Sequence, residues 1–322
     1  MKLEGPVVVT GASGFIGGEL AEQLLRENTD VYCLVRPRGV AAARQRGFSE
    51  DRILPMNEFR HTDIAPLMKR LQPKFVFHLA ASGVDPQSAS DEEILRTNVD
   101  LVTQLLLSLQ ECSVVRFIHT GSCFEYAMSS ATERLTEESL VSPESIYGAA
   151  KAASVLCGNA LAKQLQIPFT TLRLFGVYGP GEAPKRLLPY LIDHLIHDRS
   201  VDLTAGEQVR DLLFVSDVVQ AYVSAALSAD LKTYEAYNVC SSQGTRIREL
   251  ALAVAQVLGK PQDLLAFGER PYRAEECMHI LGDNSRFQSH TDWAPQTSLE
   301  HGIGYTIEAA MAGNEVSNGS IK

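Results

Sequence analysis

Paired cysteines are missing from this sequence. Cys33, Cys112, Cys123, Cys157, Cys240 and Cys277 lie far apart and form no Cys-x-x-Cys couple, so neither a zinc clip nor a disulfide framework is encoded. The eight histidines are just as scattered, and no metal is expected. Basic charge is also short: 29 Lys and Arg stand against 39 Asp and Glu, a formal net charge of −10. That balance argues against nucleic acid or an anionic membrane as partner, because either needs a basic face. No apolar run approaches the roughly 20 residues of a membrane-spanning helix, and Met1 to Thr10 holds no basic segment followed by a long apolar stretch. A cytoplasmic protein with reduced thiols is expected. Across 322 residues, 45% hydrophobic content is ample for one large domain or two intimate ones.

The apolar pattern alternates between two periods. Val7-Val8-Val9-Thr10 runs into a glycine loop, and Phe15 to Arg26 follows with helical spacing. Val31 to Val35, Phe75 to Leu79, Val114 to His119 and Phe169 to Leu174 read as further strands, separated by helical segments such as Asp91 to Gln110 and Ile146 to Gln166. This predicts an α/β fold, a Rossmann-like doubly wound parallel sheet, with a smaller, mostly C-terminal α/β substrate domain. The expected division is a dinucleotide-binding domain over 1–175 to which 209–240 returns, a substrate-binding domain from 176–208 and 241–312, and a flexible, polar tail over 313–322.

The loop Gly11-Ala-Ser13-Gly14-Phe15-Ile16-Gly17 has the glycines for a tight turn, for close backbone approach to a pyrophosphate and for helix packing, and the following helix N-terminus offers unpaired N–H groups. About 20 residues on, an NAD-binding chain places an acidic residue against the ribose 2′-hydroxyl. Here Val35 is followed by Arg36-Pro-Arg38. Arginines at that place suit a 2′-phosphate by charge and fork geometry, so NADP(H) is expected over NAD(H).

Tyr147 and Lys151 are spaced i,i+4 and share a helix face. A nearby ammonium favours the ionised phenol and brings a tyrosine, ordinarily near pKa 10, closer to a working acid or base. Ser142-Pro143-Glu144 reads as the helix start, with Ser142 as the N-cap. Cys123 adjoins Ser122 without a histidine motif to activate it, and is expected to be buried filler.

The ordered set of motifs resembles the extended short-chain dehydrogenases/reductases that act on nucleotide sugars. It comprises Gly11-x-x-Gly14-x-x-Gly17, His78-Leu79-Ala80-Ala81, Thr97-Asn98-Val99, Tyr147-x-x-x-Lys151, Leu172 to Gly181, Arg210 to Asp217, Tyr237-Asn238-Val239, Arg273 and Gly282-Asp-Asn-Ser285. The resemblance implies Ser122 as a third catalytic residue, four before Tyr126, orienting the substrate oxygen. It also implies Asp63 and Ile64 at the adenine, Leu79, Ala80, Ala81 and Asn98 along the dinucleotide, and Lys151 on the nicotinamide ribose. Ser82, Cys123, Phe124 and Phe175 are expected to line the sugar pocket, and Arg210 and Arg273 to grip the diphosphate.

Sugar-nucleotide 4,6-dehydratases carry an Asp-Glu pair after the catalytic hydroxyl; this chain has Cys123 and Phe124, which argues against dehydration. Glu125 and Ala127 flank Tyr126 where valine and glycine are usual, and Glu125 has no assigned role. The implied reaction is NADPH-dependent reduction of the C4 ketone of a nucleotide-linked 4-keto-6-deoxyhexose, as in deoxysugar biosynthesis. Tyr147 would give the proton, with Ser122 orienting the oxygen and Lys151 lowering the tyrosine pKa. The alternatives are a C4-epimerase working with bound NAD and, more remotely, a non-catalytic dinucleotide sensor. Resemblance also suggests a homodimer packed through the helices of Asp91 to Gln110 and Ile146 to Gln166.

Overall fold

The computed structural model describes residues 3–85, 89–128, 133–273 and 276–319, with side chains to 312. The N-terminal part is built from β1 (Val7–Thr10), α1 (Phe15–Arg26), β2 (Val31–Val35), α2 (Val40–Gln45), β3 (Ile53–Pro55), α3 (His61–Leu71), β4 (Phe75–His78), α4 (Asp91–Leu95), α5 (Leu101–Ser108), β5 (Arg116–Ser122), α6 (Ile146–Leu165) and β6 (Phe169–Leu174). The rest follows as β7 (Gly176–Tyr178), α7 (Leu187–Ile196), β8 (Val201–Leu203), β9 (Val209–Phe214), α8 (Val215–Leu227), β10 (Ala236–Val239), β11 (Gly244–Arg246), α9 (Ile247–Val257), β12 (Leu265–Phe267), β13 (His279–Ile280), α10 (Ser285–Ser289) and α11 (Leu299–Gly319).

Seven strands form one parallel sheet in the order β10-β6-β5-β4-β1-β2-β3. Every residue of β1, β4, β5 and β6 is buried, as a parallel sheet covered on both faces requires. One face packs on α1 and α8 through Leu20, Leu24, Val218 and Tyr222. The other carries Ile64, Met68, Leu105, Leu106 and Ala162 from α3, α5 and α6. Strand order reverses at β1 and β4, so the crevice for a ligand opens at the carboxyl ends of those strands.

The helix expected over Asp91 to Gln110 is interrupted by a π-helical turn, Arg96–Asp100. Asn98 pins it: its amide donates to the Ile94 and Ser82 carbonyls, each at 2.8 Å. The segment 209–240 divides between the two parts. β10 completes the large sheet, whereas β9 pairs with β7, β11 and β13 in a second sheet. β8 pairs with β12, and Leu191, Ile192, Leu250, Val254 and Ile303 form the core of this smaller part. The backbone of α11 is helical through Gly319, into the segment expected to be a tail.

Asp211 on β9 fastens the second sheet to the first. Its buried carboxylate accepts N–H groups from Ser241 at 2.7 Å, Ser242 at 3.0 Å and Gly282 at 3.2 Å, and the Ser241 hydroxyl at 2.7 Å. Replacing it leaves three inward-facing N–H groups without a partner. Asp211→Ala is expected to lower the unfolding free energy by about 3 kcal/mol or more, measured by urea titration; a loss within about 0.5 kcal/mol, the size of an ordinary surface change, would remove this role.

Candidate active site

β5 delivers Ser122 at its carboxyl end, and the chain then makes a 3₁₀ turn over Cys123–Glu125. The Ser122 hydroxyl accepts the Phe124 N–H at 3.2 Å, while its own N–H donates to the Glu125 carboxylate at 2.7 Å. α6 begins at Ile146, capped by Ser145, whose hydroxyl accepts the Gly148 N–H at 3.1 Å. The start expected at Ser142 to Glu144 therefore lies outside the helix. A Cβ on Gly148 would sit 2.1 Å from the Phe124 carbonyl oxygen. The first turn of α6 thus rests directly on the 3₁₀ turn, and Ser145 is the hydroxyl positioned to cap it.

This contact brings Tyr147, in the first turn of α6, to Ser122. The Ser122 side chain stands beside the Tyr147 phenol, and the Phe124 ring stands edge-on to Tyr147 with centroids 6.3 Å apart. Burial pushes the phenol above its ordinary range, Cys123 and Glu125 push the same way, and the Ser122 hydrogen bond and Arg186 work against them. Lys151 points elsewhere than expected. Its ammonium is 1% exposed and donates to the Thr120 carbonyl at 3.0 Å, because an ammonium stripped of water takes the nearest backbone acceptor. Burial brings Lys151 down to about 8, against the pull of Glu125. Burial, and not the lysine, sets the direction in which the phenol shifts.

The cofactor loop is cut to shape by close approaches. Gly11 has φ +75°, and a Cβ there would fall 2.7 Å from the Ala80 nitrogen and 2.8 Å from the Leu79 carbonyl carbon; a Cβ on Gly17 would lie 2.4 Å from the Gly11 oxygen. Ser13 and Gly14 are exposed. No side chain caps α1, and no acidic residue stands in its first turn, so its N–H groups and dipole suit a pyrophosphate. Phe15 and Ile16 pack their side chains against the core of the smaller part. The dinucleotide fits this cradle through backbone rather than side chains. Ala80 N–H is held by the Thr10 hydroxyl at 3.2 Å and Leu79 N–H by the Thr10 carbonyl at 3.3 Å; Ala81 beside them is exposed.

At the end of β2, Arg36 donates to the Glu93 carboxylate at 3.0 Å and to the Thr97 hydroxyl at 2.9 Å. Arg38 is 77% exposed, 3.7 Å from the same carboxylate. The sequence did not point to Glu93, which stands 57 residues from Arg36. Asp63 lies in the first turn of α3 beside an open cavity of about 400 Å³ lined also by Pro55, Met56, Asn57 and Glu58, within the range of small-ligand sites. Ile64 is buried in the core beneath it.

The expected substrate contacts separate into two groups. Phe124 is 42% exposed, Ser82 is half-buried and Arg273 is exposed, while Arg210 pairs with Glu276 at 2.8 Å. Cys123 and Phe175 instead pack with Tyr126, Cys240 and Ile280 in a small buried cluster. Burial pushes the Cys123 thiol up to about 12, which suits filler and not a nucleophile. Among the described residues no group of three or more His, Cys, Asp or Glu is arranged to hold a metal ion, and no helix is long and apolar enough to cross a membrane.

Lys151 supplies a pH signature. With its pKa lowered to about 8, the ammonium that would hold the nicotinamide ribose is present below that pH and lost as pH rises through it. Dinucleotide affinity, followed by fluorescence titration, is expected to weaken above about pH 8 in the natural protein and to show no such inflection in Lys151→Met. An inflection that persists in the variant would assign it to another group.

Comparison with known proteins agrees with this geometry. The family model "NAD dependent epimerase/dehydratase family" matches residues 7–240. The UDP-glucose 4-epimerase of Mycolicibacterium smegmatis is 28% identical over 311 residues, covering 94% of this chain and 97% of that protein. The dTDP-glucose 4,6-dehydratase of Haemophilus influenzae is 28% identical over 332 residues, covering 94% and 96%. Among solved structures, MoeE5 in complex with UDP-glucose and NAD superposes with a TM-score of 0.81 at 27% identity, over 96% of this chain and all of that one. With a seven-stranded parallel sheet whose switch point carries the glycine loop, and the family model matched over residues 7–240, this chain belongs to the NAD dependent epimerase/dehydratase family.

Proposed function

We propose that this protein reduces the C4 ketone of a nucleotide-linked 4-keto-6-deoxyhexose. The observation that carries the reading is the seating of the first turn of α6 on the turn after β5, which sets the Tyr147 phenol beside the Ser122 hydroxyl. A protonated tyrosine at neutral pH is ready to give a proton to an oxygen that becomes an alkoxide, which is the need of a ketone reduction. The Ser122 hydroxyl orients the same oxygen and stabilises charge as it develops. When bound in the cradle of Gly11, Ser13, Gly14 and Gly17, a reduced nicotinamide dinucleotide supplies the hydride. Lys151 is the candidate for the nicotinamide ribose, and Asn98, which donates to the Ser82 carbonyl, holds the loop after β4. Arg210 and Arg273 remain the candidates for the diphosphate, and Arg210 would exchange its Glu276 partner for it. Cys123 and Phe124 leave no acid-base pair for dehydration.

Arg36 at the end of β2 supports NADPH by its charge, yet its pairing with Glu93 gives a specific observation for a second reading. A carboxylate beside that arginine disfavours a 2′-phosphate and suits a ribose hydroxyl, as in NAD. Together with the relatives named as 4-epimerases, this supports a nucleotide-sugar C4-epimerase that recycles bound NAD. The protein is further proposed to pair through α4, α5 and α6; Leu95 of α4 and Ile146 and Leu156 of α6 are 43%, 41% and 70% exposed.

The two chemistries separate at the reduced-nicotinamide absorbance band. With NADPH and a set of nucleotide-linked 4-keto-6-deoxy sugars, stoichiometric loss of absorbance is expected, and Tyr147→Phe should lower its rate by about 100-fold or more. Conversion of a nucleotide hexose to its C4 epimer without net loss of absorbance, together with NAD released on denaturation, would favour the epimerase. Undiminished turnover by Tyr147→Phe would contradict both.

A further inference from the structure

Glu125, a carboxylate to which the sequence assigns no role, is fully buried on the turn after β5, with its carboxylate against β5 and β6. One oxygen accepts the Ser122 N–H at 2.7 Å; the other accepts Arg173 Nε at 2.7 Å. Arg173 lies on β6, opposite Gly121 in the pairing with β5. A Cβ on Gly121 would fall 2.6 Å from the carboxylate oxygen and 3.1 Å from the Arg173 side chain, so the absence of a side chain at 121 makes room for the pair. Arg173 continues the network by donating to the Tyr126 hydroxyl at 2.9 Å, with its guanidinium 4.7 Å from the centre of that ring. The Tyr126 hydroxyl donates in turn to Asn238 on β10 at 2.8 Å, and Asn238 is held by the Glu137 carboxylate and the Leu135 carbonyl at 2.7 and 2.9 Å.

We infer that Glu125 is a positioning residue: its carboxylate, fixed by Arg173 and through Tyr126 by Asn238, holds the Ser122 backbone so that the Ser122 hydroxyl points at the substrate oxygen. The inference rests on the reading of Ser122 as the group that orients that oxygen. The geometry demands such a device. Ser122 is the last residue of β5, where ladder hydrogen bonds run out and the chain turns sharply, and the 3₁₀ turn alone gives it only the Phe124 N–H. A carboxylate on the N–H of this residue anchors the end of the strand to the neighbouring β6, itself rigid in the sheet. The full positive charge of Arg173 beside Glu125 keeps the buried carboxylate from opposing negative charge as it develops near Ser122. A reciprocal bond, Ser122 hydroxyl to the turn and Glu125 carboxylate to the Ser122 N–H, is the arrangement of a capping box, used here to aim a hydroxyl.

A double-mutant cycle tests this on the full chain. The variants are Glu125→Ala, Glu125→Gln, Ser122→Ala and Ser122→Ala with Glu125→Ala, each assayed for kcat and KM with reduced dinucleotide and a nucleotide-linked ketosugar that the natural protein turns over. Glu125→Ala is expected to lower kcat by about 10- to 100-fold, the scale of a small misplacement of a reacting group, with KM changed less than about threefold. Glu125→Gln, which keeps an acceptor for the Ser122 N–H, should lose less. In the Ser122→Ala background the loss of Glu125 should cost little more. Amide hydrogen exchange adds a readout independent of turnover: the peptide holding the Ser122 N–H should exchange faster in Glu125→Ala while α6 stays protected. Losses that multiply, or an unchanged kcat, would overturn the inference. Failure of the natural protein to turn over any such sugar would instead remove the reading beneath it, and an unchanged exchange rate at Ser122 would overturn the positioning itself. If Glu125→Ala does not fold, Glu125→Gln carries the same cycle.

Discussion

The short turn after β5 has to present a hydroxyl at the mouth of the crevice while its backbone stays joined to a sheet buried on both faces. That constraint organises the neighbourhood. Glu125 and Arg173 meet it from inside the sheet, one on the turn and one on β6. Gly121 leaves space for their ion pair and Gly148 lets α6 settle against the Phe124 carbonyl. Because α6 is seated there, Tyr147 arrives beside Ser122. Placement of the tyrosine is therefore a consequence of packing between a turn and a helix start, and not of the helix alone.

Electrostatics around this core follow from the same burial. His78 and His119 stack with centroids 5.4 Å apart on adjacent strands, and burial, aided by Lys151, brings His78 down to about 3. His119 is pushed low for the same reasons. Burial disfavours the charged form of both imidazoles, so they add no cation beside Lys151. Lys151 finds its acceptor on the Thr120 carbonyl, one strand residue from Gly121. Deep in the protein, the cost of stripping water from a charge decides each of these states; the charge of a neighbour is the smaller influence.

Much of this was legible in the sequence, and the failures have physical causes. Alternation of short apolar runs with helical spacing announced the parallel sheet, and the strand–glycine–helix order located the cradle, because those signals depend only on local backbone and periodicity. β3, only three residues long, carried no such pattern. The helix start moved from Ser142 to Ser145 because Pro143 and Glu144, good first-turn residues by propensity, were outweighed by the seat that Phe124 offers Gly148. The tyrosine–lysine spacing was read rightly as a shared face, but spacing cannot tell which acceptor a buried ammonium will take. Glu93 and Glu125 were opaque for one reason: each finds its arginine across the fold, 57 residues away for Glu93 and 48 for Glu125. A charged residue inside an otherwise uncharged strand, such as Arg173 in β6, was the available hint.

Hydride delivery from a free dinucleotide to carbon 4 of the sugar is the central claim, and isotope transfer tests it most directly. The protein would be incubated with NADPH carrying deuterium on the nicotinamide C4, each face labelled in turn, and a nucleotide-linked 4-keto-6-deoxyhexose, and the product examined by NMR. Deuterium at C4 of the product sugar, from one of the two faces only, is the expected result. A C4 alcohol carrying no deuterium from either face, or no reduction of the ketosugar at all, would contradict it, and would mean that the added dinucleotide is not the hydride donor.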